Sequence, residues 1–388
     1  MKNYIFILVA GLLVIFASLG LGRFAFGMIL PNMQIDLAMS ITQSGFVGTS
    51  NFLGYLSGLL FAGLFYARYG ALKLINRSVF SQGVSMFLMT FGNNYLIVSF
   101  FYFFSGFFGA LATIAIMSYI TQMVSKEIRG KSAGILYMGG GIAIVISGYL
   151  VPFLDEIYTD SWRYSWRIFA VLTIMVAIIS KLWLKEEPTL KKQTITQKEP
   201  FLSILKDRKF IEIGGLYFCF GITYVVYITF FVLASIDKWG LTSEISAPFW
   251  IVLGTLSIFS GAIFGILSDK IGRYKTINLV FFIQSIANII MALNLPVSYL
   301  WISASLFGIS VWAIPSIMAV LTAETFGVEK TAIIFSKITL IFAFGQIIGP
   351  IGAGFITDIT NNFSYAFGLS FIITFIAFLL SLKNRNLG

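Results

Sequence analysis

Apolar runs of about twenty residues follow one another almost without pause along this 388-residue chain, and each is long enough to cross a bilayer as a helix. Twelve can be read, near 4–30, 43–65, 73–92, 95–121, 131–152 and 165–184, then near 209–235, 247–267, 276–294, 298–322, 332–357 and 364–382. Hydrophobic residues make up 58% of the chain and charged residues 11%, against roughly 45–50% and 25% in a soluble domain. No separate soluble domain fits between the spans. The 41 Phe and 36 Gly suit lipid-facing surfaces and close helix approaches respectively. The expectation is an all-α, multi-pass protein of the cytoplasmic membrane.

A short basic turn occurs twice. Gly265-Ile-Leu-Ser-Asp269-Lys270-Ile-Gly272-Arg273 has a weaker copy 202 residues earlier, Gly63-Leu-Phe-Tyr-Ala67-Arg68-Tyr-Gly70. Repetition at half the chain length predicts two similar six-helix bundles fused head to tail, over 1–184 and 209–388, with a polar cytoplasmic linker at 185–208. Such internal repeats are a mark of secondary transporters, whose halves rock about a site between them.

Net charge is +10, which by itself could attract nucleic acid. Placement argues otherwise, because the cations sit in turns between apolar spans. Arg68, Lys73, Lys126, Arg129, Lys131, Lys270, Arg273 and Lys275 fall on one side of the membrane. The other has Arg163, Arg167 and Lys238 among Asp36, Asp155, Glu156, Asp160, Asp237, Glu244 and Asp358. This bias places both termini in the cytoplasm and assigns the cations to topology and to the lipid bilayer. There is no histidine and only one cysteine, Cys219. Imidazole metal sites, histidine catalysis and an internal disulfide are thereby excluded. No phosphate-cradling Gly-x-x-x-x-Gly-Lys-Ser/Thr loop is present, which argues against ATP-driven pumping. Neither an enzyme nor a cofactor is expected.

In the repeated turn the glycines permit a tight bend and close helix contact, while the carboxylate can pair at a helix end. The turn resembles the signature of the major facilitator superfamily, and the resemblance extends over essentially the whole chain. It implies that Asp269, with Lys270, Gly272 and Arg273, joins a cytoplasmic charge network that holds one conformation closed. The first copy keeps Gly63, Arg68 and Gly70 but has Ala67 where the acid would stand, so its latch is weakened or differently built. Leu21-Gly22-Arg23-Phe24-Ala25-Phe26-Gly27 and Gly48-Thr49-Ser50-Asn51-Phe52-Leu53-Gly54-Tyr55 are similar to the YbfB/YjiJ-type branch. That branch resemblance is silent on substrate. Tyr102 stands where many proton-coupled members carry arginine, and span five lacks the drug-antiporter glycine motif.

Arg23 is the sharpest chemical feature. It lies about 12 Å of helix rise inward from Pro31, too deep to anchor an end. Such a cation must face a wet cavity or a partner. Two readings stand: binding of an anionic substrate, or pairing with backbone carbonyls. Lys337, two turns into span eleven, either serves as a substrate or coupling ligand or snorkels to the cytoplasm. Glu324 reads as a gate or ion-pair residue, with Lys337 one candidate partner. Tyr217, Tyr224, Tyr227 and Phe231 share a helical stripe that either lines an amphipathic cavity or packs helices. Asn51, Tyr55, Gln82, Tyr137, Trp250, Trp312 and Gln346 are further candidates. No Asp or Glu lies deep in a span, so the coupling ion, proton or sodium, is left open. The function expected is alternating-access transport of a small anionic or zwitterionic organic solute by a monomer. Efflux of hydrophobic or lipid-like compounds is the alternative.

Overall fold

In a computed structural model the twelve expected spans are all helical, and the structure describes residues 2–124, 128–185 and 207–383. In the first half they are α1 (Ile5–Asp36), α2 (Ile41–Tyr69), α3 (Ala71–Met89), α4 (Tyr95–Met123), α5 (Arg129–Ile157) and α6 (Ser161–Trp183). The second half contains α7 (Arg208–Trp239), α8 (Ser243–Ile271), α9 (Arg273–Ala292), α10 (Tyr299–Phe326), α11 (Val328–Thr360) and α12 (Phe363–Lys383). No strand occurs among the described residues. Residues 186–206 of the expected linker, and Lys126, lie outside the described residues.

Eleven of these helices are long and apolar enough to cross a membrane. The remaining one, α3, carries Lys73, Asn76, Arg77 and Gln82 along its length. Several helices run past their apolar cores because polar caps satisfy their free amides. Ser40 and Gln43 form a reciprocal capping box at the start of α2, and Asn94 accepts from Leu96 and Ile97 at the start of α4.

The two copies of the repeated turn have matching backbones. Gly70 has φ 74° and Gly272 φ 95°, each ending one helix and opening the next. Only glycine adopts that conformation without strain, which accounts for its recurrence. The expectation for Gly63 and Gly265 is corrected here: a Cβ at either would meet no atom within 4 Å. Those glycines face open space, not a neighbouring helix, in this conformation.

Close approach is concentrated elsewhere. Within the first half, Gly54 and Gly106 bring α2 and α4 together, and added Cβ atoms would lie 1.9 Å from the Phe103 carbonyl and 2.0 Å from the Asn51 carbonyl. Between the halves, a Cβ at Gly27 would lie 2.1 Å from the Ile228 oxygen, at Gly45 2.2 Å from the Pro350 oxygen, and at Gly148 2.5 Å from Ile251. These contacts join α1 to α7, α2 to α11 and α5 to α8. Polar groups reinforce them. Asp358 at the end of α11 accepts from the backbone amides of Ile41 at 3.0 Å and Thr42 at 2.8 Å, capping α2 across the interface. Trp250 donates to Ser147 at 3.0 Å, and Thr49 to the Ile347 carbonyl at 3.0 Å.

The inter-half contacts at helix ends belong to the end that carries Asp36, Asp155 and Asp358, here called the acidic end. At the basic end, with Arg68, Lys270 and Arg273, no hydrogen bond joins the halves among the described residues. The close approaches and hydrogen bonds that join the halves thus gather towards the acidic end. Replacing Gly45 by alanine should therefore lower the thermal unfolding midpoint in detergent, since overpacking costs about 1–3 kcal/mol. Gly63→Ala on the same helix should be neutral or stabilising by about 0.5–1 kcal/mol, because alanine favours helix over glycine. Equal losses in the two variants would contradict the contact map.

Candidate functional site

The site forms where α1 departs from α-helical geometry. Phe16–Phe24 is π-helical and every residue in it is buried. A π segment loosens the ladder and aims carbonyls sideways, and side chains from three helices meet them. Gln82 of α3 donates to the Ser18 oxygen at 2.9 Å, Asn51 of α2 to the Gly22 oxygen at 3.2 Å, and the Tyr102 hydroxyl of α4 to the Arg23 oxygen at 3.3 Å. A Cβ at position 22 would fall 2.0 Å from the Gln82 amide nitrogen, so any larger residue there would displace Gln82 from Ser18.

This scaffold holds Arg23, which is only 7% exposed. Its Nε donates to Asn51 Oδ1 at 3.1 Å. The guanidinium carbon lies 4.0 Å from the centre of the Tyr55 ring and 4.5 Å from that of Phe52, so two π faces support the cation. Asn51, 1% exposed, is fully used: it accepts from Arg23 and donates to the carbonyls of Gly22 and Tyr102. Arg23 is not, because its buried Nη2 has no hydrogen-bond partner. The two readings of Arg23 thus both have a structural counterpart, with one edge held by the protein and the other left with an unused donor.

The second half faces that donor with aromatic groups. Tyr224 of α7 lies close enough to Arg23 for the hydroxyl and guanidinium to interact, and Gln346 of α11 donates to the same hydroxyl. Trp312 sits at the turn between the two pieces of α10, Tyr299–Ser310 and Ala313–Phe326. Its ring is 4.7 Å from that of Phe24 and 6.2 Å from that of Tyr224. Its Nε1 is another buried donor with no partner. Tyr217 stacks on Phe342 at 4.2 Å.

Tyr137 of α5 is 47% exposed, yet it lies within electrostatic reach of Tyr55 in its own half and Tyr217 in the other. The space it looks into is therefore the cavity between the halves, not lipid. Arg23, Asn51, Tyr55, Tyr137, Tyr217, Tyr224, Trp312 and Gln346 form one constellation drawn from both halves.

Tyr227 does not join it. Its hydroxyl is 2.6 Å from that of Ser303 and its ring stacks at 3.8 Å on Phe307, inside the second bundle. The expected single stripe on α7 therefore divides. Tyr217 and Tyr224 turn to the cavity, while Tyr227 stacks on Phe231 at 5.2 Å and packs the core. Seven residues make nearly two turns, but three more rotate the side chain off the stripe's edge. Lys337 is 7% exposed on α11, about 13 Å of helix rise from Gln346 towards the basic end. Tyr102, Phe24 and Phe52 were not picked out as site residues by sequence reasoning. Tyr102 was noticed only as a departure from an arginine pattern.

At the basic end, Arg273 meets Glu324 at 2.9 Å and also contacts Asp269 and Ser268. Glu324 is thus engaged by Arg273, where the sequence suggested Lys337. The network links α8, α9 and α10 within the second half, and Lys270 beside it is exposed. In the first half the corresponding Arg68 lies 5.5 Å from the Tyr69 ring, with no acid at Ala67.

Two similar helical bundles around a central polar and aromatic cavity define a membrane transporter of the major facilitator type. A family model described as "Uncharacterised MFS-type transporter YbfB" matches residues 15–382, and the chain belongs to that family. It is similar to the hexuronate transporter of Bacillus subtilis (strain 168), with 24% identity over 390 residues covering 90% of this chain and 87% of the relative. Synaptic vesicle glycoprotein 2B of Rattus norvegicus is 25% identical over 176 residues, 44% of this chain and 26% of that protein. Among solved structures, a bacterial homologue of the human lysosomal transporter Spinster, inward-facing and unoccupied, superposes with a TM-score of 0.80 at 16% identity. It covers 99% of this chain and 97% of that one. The nucleoside transporter NupG gives a TM-score of 0.77 at 13% identity, over 99% of this chain and 100% of that one. These likenesses show the fold, and the chain is a transporter, not an enzyme.

Asn51→Ala should cost about 1–3 kcal/mol of stability, because it leaves the buried Arg23 Nε without its acceptor and takes a side-chain donor from the Gly22 and Tyr102 carbonyls. Tyr137→Phe, which removes only a cavity-facing hydroxyl, should change stability by less than about 0.5 kcal/mol. Thermal unfolding of the purified proteins compares them, and similar losses would mean that Asn51 is not the organising group.

Proposed function

We propose that this protein is a secondary active transporter that moves a small anionic or zwitterionic organic solute across the cytoplasmic membrane by alternating access. The observation that carries this reading is the buried, unused Nη2 of Arg23 at the point where aromatic groups of both halves converge. A guanidinium with an available N–H edge suits a carboxylate or phosphate. The hydroxyls of Tyr55, Tyr137, Tyr217 and Tyr224 and the amide of Gln346 would serve hydroxylated parts of a solute. Trp312 offers a ring face together with an unpaired N–H. The hexuronate relative is in keeping with this, since a sugar acid has a carboxylate, several hydroxyls and an apolar ring face.

Alternating access follows from solute touching both halves, so that binding draws together elements that otherwise part. By the distribution of Lys and Arg, the basic end and both termini are cytoplasmic, and the conformation described here faces inward. Lys337, between the cavity and that end, would be a second cation on the inner path. The Asp269–Arg273–Glu324 cluster is read as half of a cytoplasmic gate that meets the first half when that end closes. The functional unit is taken as a monomer in the lipid bilayer. The stacked rings of Tyr217, Phe220, Tyr224 and Phe342 favour a second reading, export of hydrophobic or lipid-like compounds, which susceptibility profiling of an overexpressing strain would separate from the first.

Uptake and binding of labelled glucuronate by proteoliposomes test the first reading. Arg23→Ala should lose uptake and at least about tenfold in affinity, the equivalent of one charge-assisted hydrogen bond. Arg23→Lys, which keeps the charge but loses the planar fork, should fall between. Full activity and affinity in both variants would remove the anion site.

A further inference from the structure

No acidic residue lies deep in a span, but at the acidic end the fold half-buries one and encloses both of its carboxylate oxygens. We propose that Asp155, enclosed by α1, α5, α6 and α8, is a binding site for a small cation, a proton or a sodium ion, whose occupation allows the acidic end to close. The proposal rests on the alternating-access reading above.

The argument starts from a pseudo-symmetric pair. Asp358, at the end of α11, has its carboxylate filled by two amides at the start of α2. Asp155, at the end of α5, occupies the related place in the other half, beside Ser243 at the start of α8. Ser243 stands 202 residues after Ile41, at the same turn of the repeat. No backbone amide caps Asp155, whose two carboxylate oxygens are buried. The polar side chains near enough to interact are Asn32 of α1, Ser161 of α6 and Ser243 of α8. The Asn32 amide is directed to the Ser161 hydroxyl at 3.2 Å.

The neighbouring charges do not compensate Asp155. At this end α5 adds Glu156, α1 adds Asp36, α8 adds Glu244, and α6 adds Asp160, Arg163 and Arg167, while α4 has no charged residue. Arg163 is engaged by Asp36 at 3.2 Å and by the carbonyls of Thr90 and Gly92. Arg167 is turned to Thr90 and the rings of Phe91 and Tyr164. Among the described residues no Lys or Arg pairs with Asp155.

An ionised carboxylate buried without a cation beside it is costly, and the cost is relieved by neutralising it or by opening the site to water. A proton neutralises it directly. A sodium ion would find the carboxylate, an amide oxygen and two hydroxyls, the oxygen donors that hard cations take. Occupied, Asp155 fits the closed acidic end; empty, it is better hydrated with that end open. Rising pH should therefore open the acidic end.

The test labels a cysteine placed at that end. In a Cys219→Ser background, Ile251→Cys lies where α8 packs on Gly148 of α5. It is reacted in proteoliposomes with a membrane-impermeant maleimide from about pH 5.5 to about 8.5, in sodium and in choline chloride. Labelling should rise with pH, by up to roughly tenfold for each pH unit that separates the carboxylate's titration in the two states. Suppression by sodium at high pH identifies sodium as the cation, and indifference to sodium identifies the proton. Asp155→Asn, neutral and of the same shape, should label slowly at every pH in both salts. The proposal is overturned if that variant keeps the parent's profile. Ser243→Ala provides a second reading should Asp155→Asn not fold: it should shift the profile, and an unshifted profile also counts against the site. Asp358→Asn should raise labelling at all pH values. If the cysteine stays unlabelled even then, alternating access itself fails, and this proposal with it.

Discussion

The halves of this protein are held together by how closely their backbones can approach. In lipid, burying apolar surface gains little, because the acyl chains are as apolar as the side chains they replace. Association then depends on dispersion contacts and on polar groups that find partners. Gly27, Gly45 and Gly148 let α1, α2 and α5 come to van der Waals distance of α7, α11 and α8. The Asp358 carboxylate caps α2 across the same interface. Because these contacts gather towards the acidic end, the basic end is free to part. The location of the candidate site between the halves follows from that one-sided closure.

The same constraint shapes the interior. An arginine in the middle of a bilayer persists only if its charge is met locally. Here the meeting is divided. Asn51 and the rings of Tyr55 and Phe52 hold one edge of Arg23, and the π-helical turn that presents it is pinned by Gln82 and Tyr102. The other edge is left towards Tyr224 and the second half. A residue that is structural on one side and chemically available on the other gives the site a fixed, oriented cation, and the proposed recognition of an anion rests on that preorganisation.

Much of this was legible beforehand, for physical reasons. The twelve spans, the duplication and the depth of Arg23 are visible because lipid demands long uninterrupted apolar helices and makes each exception conspicuous. The glycine of the repeated turn is visible because a positive φ tolerates little else, as Gly70 and Gly272 demonstrate. The rest was hidden because it depends on which helices meet. Tyr224 and Tyr227 lie only about 60° apart on a helical wheel, yet one reaches the Gln346 amide and the other the Ser303 hydroxyl. The choice of Arg273 for Glu324 needed the crossing of α9 and α10. In the sequence Asp155 is one of several acids on one face of the membrane, and its place beside Asn32, Ser161 and Ser243 depends on which helices meet.

The sequence by itself determined the class of the molecule: a duplicated, all-helical, multi-pass chain with its charge biased to one side and a single deep arginine in its first span. Those properties are local, set by hydropathy, by turn chemistry and by residue counts along the chain. Only the tertiary structure decided which end is closed, which tyrosines lie near Arg23, and which of two related aspartates caps a helix of the other half. These depend on contacts between residues hundreds of positions apart, where a shift of one helical turn exchanges a cavity-lining side chain for a packed one.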